Sequence, residues 1–150
     1  MTIDRSLPAM ASLFQELILD HYKRPRNRGE LDGADVDVHM KNPTCGDEVR
    51  LQLRIEDGRI ADARFIGEGC SISQASISMM TQAIKGKTPE EALALAARFT
   101  EMMHGDADAA RDRALGDLRS LAGVSKYPVR IRCALLGWNA LEKGLEDLDS

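Results

Sequence analysis

The stretch "EVRLQLRIEDGRIADARFI", residues 48–66, constrains the fold of this chain more than any other. Val49, Leu51, Leu53 and Ile55 alternate with Arg50, Gln52, Arg54 and Glu56. A period of two lays the apolar residues on one face of a strand and the polar ones on the other. Asp57-Gly58 is a hairpin turn signal, and residues 59–66 form the returning strand. Upstream, Val36, Val38 and Met40 alternate with Asp35, Asp37 and His39. Residues 35–66 therefore predict a three-stranded antiparallel meander, with "NPTCGD" (42–47) joining its first two strands.

Helical patterns flank the meander. Leu13, Phe14, Leu17 and Ile18 predict an amphipathic helix over about 10–22. "KRPRNRGELDG" (23–33) breaks that period with Pro25, Gly29 and Gly33 and reads as a basic, exposed loop. After "GEGC" (67–70), Ile72, Ala75, Met79 and Ala83 fall on one helical face, and Gly86 stops the helix. The next helix carries Thr88 as N-cap, Pro89 in the first turn and Glu91 for a capping box. Residues 104–128 read as a loop with a short helix near 115–122. The last helix, about 129–146, has Ala134, Trp138, Leu141 and Leu145 as its buried stripe. Helices packed on one face of a three-stranded antiparallel sheet make an α+β fold. The 150 residues fit one domain, 1–150, with 1–9 expected to be a flexible N-terminus.

Composition narrows the function. Net charge is −4, and aromatic residues make up 4%, a poor match to phosphate binding or base stacking, so nucleic acid is not expected as a partner. No stretch approaches the ~18 apolar residues of a membrane span, and "MTIDRSLPAMASLF" does not read as a signal peptide. The expected location is the cytoplasm. Three cysteines without a secretion signal argue against a disulfide framework.

Those cysteines each fall at the end of an element. Cys45 lies in the turn between the first two strands, Cys70 opens a helix after Gly67 and Gly69, and Cys133 sits near the start of the last helix. Helix N-termini stabilise thiolates. Three thiolates on a tetrahedral ion leave one position open, and Asp47 is the nearest candidate for it. The spacing also suits three unrelated buried thiols with Asp47 as a turn-stabilising side chain. Zinc under three thiolates and a carboxylate would keep net negative charge and need cations nearby. Arg130, one helical turn before Cys133, meets that need, with Lys126 and Arg132 close in sequence. Among the histidines, His39 is expected to face solvent or a partner, His21 to complement the end of the first helix, and His104 to lie in a loop.

Assembled, "DHYKRPRNRG" (20–29), "NPTCGD" (42–47), "GEGCSISQASISMMTQAIKGK" (67–87) and "LGDLRSLAGVSKYPVRIRCALLGWNALEKG" (115–144) make the chain resemble the SufU family. This is the zinc-containing branch of the IscU-like iron–sulfur cluster assembly proteins. The resemblance implies one Zn2+ held by Cys45, Asp47, Cys70 and Cys133. It implies a SufS-type, pyridoxal-phosphate (PLP)-dependent cysteine desulfurase as partner, Cys45 as the acceptor of its persulfide sulfur, and onward passage to a SufBCD-type assembly complex. It further implies that a desulfurase histidine replaces Cys45 on the zinc, aided by Arg130. The runner-up is an assembly scaffold that holds an iron–sulfur cluster transiently on the same ligands; a third reading is a zinc-stapled interaction module. The scaffold branch carries a histidine where this chain has Arg132, and a Leu-Pro-Pro-Val-Lys motif where it has "VSKYPVRIR". Residues 104–128 are also longer than in the scaffolds.

Overall fold

The computed structural model describes residues 6–43 and 46–149, and the side chains of 14–43 and 46–148. The sheet has the order β1-β2-β3, all antiparallel, with β1 Val36–Asn42, β2 Asp47–Glu56 and β3 Arg59–Glu68. Val38 pairs with Leu51 and Leu51 with Phe65, so the apolar alternation of all three strands meets on one face. Val36, Val38, Val49, Leu51, Leu53, Ala63 and Phe65 are buried there.

Helices α2 Ser71–Ile84 and α4 Pro128–Asp149 cover that face, and α1 Ser6–Lys23 packs on α2. Helix α3 Pro89–Met103 closes the far side, where Phe99 stacks on Trp138 with ring centroids 4.9 Å apart. Its start is built as expected. The Thr88 hydroxyl accepts from the Glu91 N–H at 3.1 Å, and the Thr88 N–H donates to the Glu91 carboxylate at 3.0 Å. Among the described residues, no helix is long and apolar enough to cross a membrane.

Several expectations change. The stretch 1–9, expected to be flexible, overlaps α1, which begins at Ser6, and residues 1–5 lie outside the described residues; Pro8 is tolerated since first-turn amides have no helical partner. Helix α2 is buried almost all round rather than on one stripe, from Ser73 through Thr81. Its hydroxyls are satisfied internally: Ser76 donates to the Ala134 carbonyl at 2.7 Å, and Thr81 to the Ser78 carbonyl at 2.7 Å. Residues 104–128 are mostly helical rather than looped. A 3-10 turn at Ala109–Arg111 leads into a 3-10 segment, Arg113–Lys126, broken at Gly116. Leu115, Leu118, Leu121 and Val124 are its buried apolar residues, one every third position, which matches three residues per 3-10 turn.

The basic loop after α1 is a strap rather than a solvated excursion. The Gly29 N–H donates to the Phe65 carbonyl at 2.8 Å, and the Phe65 N–H to the Asn27 carbonyl at 3.1 Å, so Arg28 forms a parallel bridge to the outer edge of β3. His21 belongs to the same anchor. It does not complement the helix end as an exposed cation; it is buried, with Nδ1 2.8 Å from the Ser78 hydroxyl. Ser78 Oγ also accepts from the Arg26 N–H at 2.8 Å.

Candidate metal centre

The open end of the hairpin, the start of α2 and the first turns of α4 converge. Asp47 is the first residue of β2, Cys70 is the N-cap of α2, and Cys133 follows the first turn of α4. One ligand atom from each of Asp47, Cys70 and Cys133 lies within 4.8 Å of the others. A zinc tetrahedron with thiolate bonds of ~2.3 Å has sulfur–sulfur edges of about 3.8 Å, so small side-chain adjustments would close the three donors onto one ion. Two thiols and a carboxylate are also a donor set of the right chemistry for zinc. Cys45 and Thr44 lie outside the described residues, so the position of the Cys45 sulfur is not part of this geometry.

Each donor is held by its own element. Asp47 is 1% exposed, and its two carboxylate oxygens have different tasks. Oδ1 accepts the Cys70 N–H at 2.9 Å, while Oδ2 is 3.8 Å from Cys70 Sγ and so is the oxygen turned toward the thiols. A buried carboxylate needs such donors, and an N-cap amide at the positive end of α2 is a strong one. The contact is possible because residue 69 is glycine: a Cβ there would lie 2.3 Å from Asp47 Oδ1 and 2.7 Å from Ser73 Oγ. On the other side Gly46, at φ +72°, adopts a backbone conformation that residues with a Cβ resist. Its N–H returns to the Asn42 carbonyl at 2.9 Å and closes the turn.

Cys70 is half-buried and Cys133 fully buried. Cys133 Sγ approaches the Val129 carbonyl at 3.7 Å. Arg130 is exposed, yet its guanidinium stands beside both sulfurs. The charge of a Cys70 thiolate, followed by hydrogen bonds to Cys133 and Cys70, raises the arginine above its ordinary pKa. Arg132 and Lys126 are exposed. His39 is exposed and contacts Glu48 on the outer sheet face, and His104 caps the end of α3, with Nδ1 2.9 Å from the Thr100 carbonyl.

Sequence reasoning missed a polar support beneath the donors. Ser73 Oγ donates to the Cys70 carbonyl at 3.1 Å and accepts from Gln74 Nε2 at 3.3 Å. Both side chains are buried. Polar residues three and four positions after Cys70, one helical turn on from it, were the available signal.

The profile of the family described as "NifU-like N terminal domain" matches residues 13–134. The chain is 54% identical over 135 residues to the zinc-dependent sulfurtransferase SufU of Bacillus subtilis strain 168, covering 89% of this chain and 90% of that protein. It is 45% identical over 141 residues to the iron–sulfur cluster assembly scaffold protein IscU of Streptococcus pyogenes serotype M1, covering 94% and 87%. A crystal structure described as a SUF-system iron–sulfur cluster assembly scaffold from Fervidobacterium islandicum AW-1 superposes with a TM-score of 0.81 at 38% identity, covering 87% of this chain and 94% of that one.

Proposed function

Since this chain belongs to the NifU-like N-terminal domain family, we propose that it is a zinc-dependent sulfurtransferase of iron–sulfur cluster assembly. It takes persulfide sulfur from a SufS-type cysteine desulfurase in the cytoplasm and passes it to a SufBCD-type assembly complex. The observation that carries this reading is the convergence of Asp47, Cys70 and Cys133, with Arg130 beside the thiols, at the end of the sheet where the turn joining β1 to β2 contains Cys45.

Cys45, Asp47, Cys70 and Cys133 would hold the zinc, which when bound keeps its thiol ligands ionised at neutral pH. The chain's own residues divide the remaining work. The Cys45 thiolate attacks the outer sulfur of the donor persulfide. A new sulfur–sulfur bond forms on Cys45, the donor's sulfur–sulfur bond breaks, and the donor cysteine leaves as its thiolate. Asp47, Cys70 and Cys133 are each fixed by a separate element, so Cys45 can react without disturbing their arrangement. Arg130 places a permanent cation where thiolate charge gathers.

The test is mass spectrometry of Cys45 after incubation with desulfurase and cysteine. A gain of one sulfur on Cys45 is expected, together with loss of desulfurase stimulation in Cys45→Ala. An unmodified Cys45, or a fully stimulating Cys45→Ala protein, would falsify the acceptor role. A colourless protein with about one zinc per chain separates sulfur transfer from the scaffold reading, which requires an iron–sulfur chromophore.

A further inference from the structure

The least covered large apolar side chains of the described residues stand at the mouth of the thiol cluster. Tyr127 is 63% exposed and Val129 is 59% exposed, with exposed Pro128 between them. Single exposed apolar residues are ordinary on a protein surface, but a contiguous patch rimmed by charge marks a contact site. This patch is firmly held. The Tyr127 N–H donates to the Val124 carbonyl at 2.9 Å, and its carbonyl accepts from Arg130 at 2.8 Å and Ile131 at 3.1 Å. An aromatic ring presented on a fixed backbone loses little freedom on binding.

Its position is as informative as its exposure. The Val129 carbonyl contacts Cys133 Sγ at 3.7 Å, so the patch belongs to the helical turn directly preceding one thiol. Lys126 and Arg132 flank it, both exposed and neither in an ion pair among the described residues. On a chain of net charge −4, free cations around an apolar step form a local positive rim.

We propose that Lys126–Val129 with Arg132 is the docking surface for the sulfur donor, a protein offering an apolar recess bordered by acidic side chains. This rests on the sulfur-transfer reading above. The donor, rather than the later acceptor, is the occupant because its incoming persulfide is anionic and approaches a site built from thiolates and a carboxylate. Cations at the entrance offset that repulsion and steer the encounter.

The experiment measures stimulation of a purified SufS-type cysteine desulfurase against concentration of this protein, with zinc content and melting temperature recorded for each variant. Tyr127→Ala should raise the half-saturating concentration about tenfold or more, as loss of a central aromatic anchor does. Val129→Asp should do the same, with the saturated rate retained in both. Lys126→Glu with Arg132→Glu should raise it at low salt and flatten its dependence on ionic strength. Half-saturation within about twofold of wild type across these variants overturns the docking surface while leaving sulfur transfer standing. So does a shift seen only in variants that have lost zinc or melting temperature, or defective delivery to the acceptor with donor stimulation unchanged. Wild-type protein that fails to stimulate the desulfurase overturns the sulfur-transfer reading and the docking surface with it.

Discussion

A single missing atom shapes the candidate site. The Cβ absent from residue 69 leaves the space that Asp47 Oδ1 fills to meet the Cys70 N–H. Gly69→Ala should therefore push the carboxylate away from the thiols and weaken zinc binding by about 10–100-fold, the range typical of lost supporting contacts. Competition with a chromophoric chelator measures this, and wild-type affinity in the variant would show that Asp47 does not depend on that gap. The same residue shows what could be read in advance. The sequence sets Gly69 beside Cys70 and makes Asp47 the nearest carboxylate candidate. The identity of the atom each glycine makes room for depends on how β2 meets α2. That is a contact between residues far apart in sequence, which local pattern does not encode.

Between elements, the join of α1 to α2 is held by a buried polar pair. His21 sits against Ser78 Oγ, with Arg26, Asp117 and Asp20 as the charged groups acting on it. Burial, and then the Arg26 charge, hold its pKa below the ordinary histidine value. The folded protein thus binds its proton less readily than the unfolded chain does. The stability from this pair is complete above the unfolded value of ~6.5 and is lost as pH falls below it and through the lower folded value. Thermal melts from pH 7.5 down to pH 5 should show wild type losing more stability than His21→Asn, which puts an amide near the place of Nδ1. Parallel curves would remove His21 as the source. Legibility also varied by element. Strands with strict alternation and a capped α3 were clear because neighbours in sequence decide them. Only about 115–122 of the Arg113–Lys126 segment reads as helix in the sequence, because its apolar residues recur every third position, a spacing that neither the α-helical nor the strand template selects. His21 reads only as complementing the end of the first helix, since nothing near it in sequence shows that α2 arrives to bury it.

For the molecule as a whole, the apolar core and the candidate metal centre are separate sources of stability. The core runs unbroken from the sheet through α2 and α4 to α3, and the thiols lie at one end of it. Zinc at a thousandfold excess over its dissociation constant contributes about 4 kcal/mol, about 10 °C in melting temperature for a chain of this size. Chelation should lower the melting temperature by about that much while leaving a cooperative transition and the near-ultraviolet signal of the Phe99–Trp138 stack. A metal-free chain without a cooperative transition would show instead that the metal is needed to fold it. The α+β layout was legible from the order of patterns alone, because strands and helices here follow one another in blocks. The strap over residues 27–29 was not, since its hydrogen bonds go to a strand distant in sequence. Its consequence concerns association. An open sheet invites strand addition from another molecule at any bare edge. Here Asn27 and Gly29 occupy backbone groups along the outer side of β3, and the other edge, β1, is seven residues long and carries Asp37, His39 and Lys41. With one edge occupied and the other short and charged, the sheet resists edge-to-edge polymerisation.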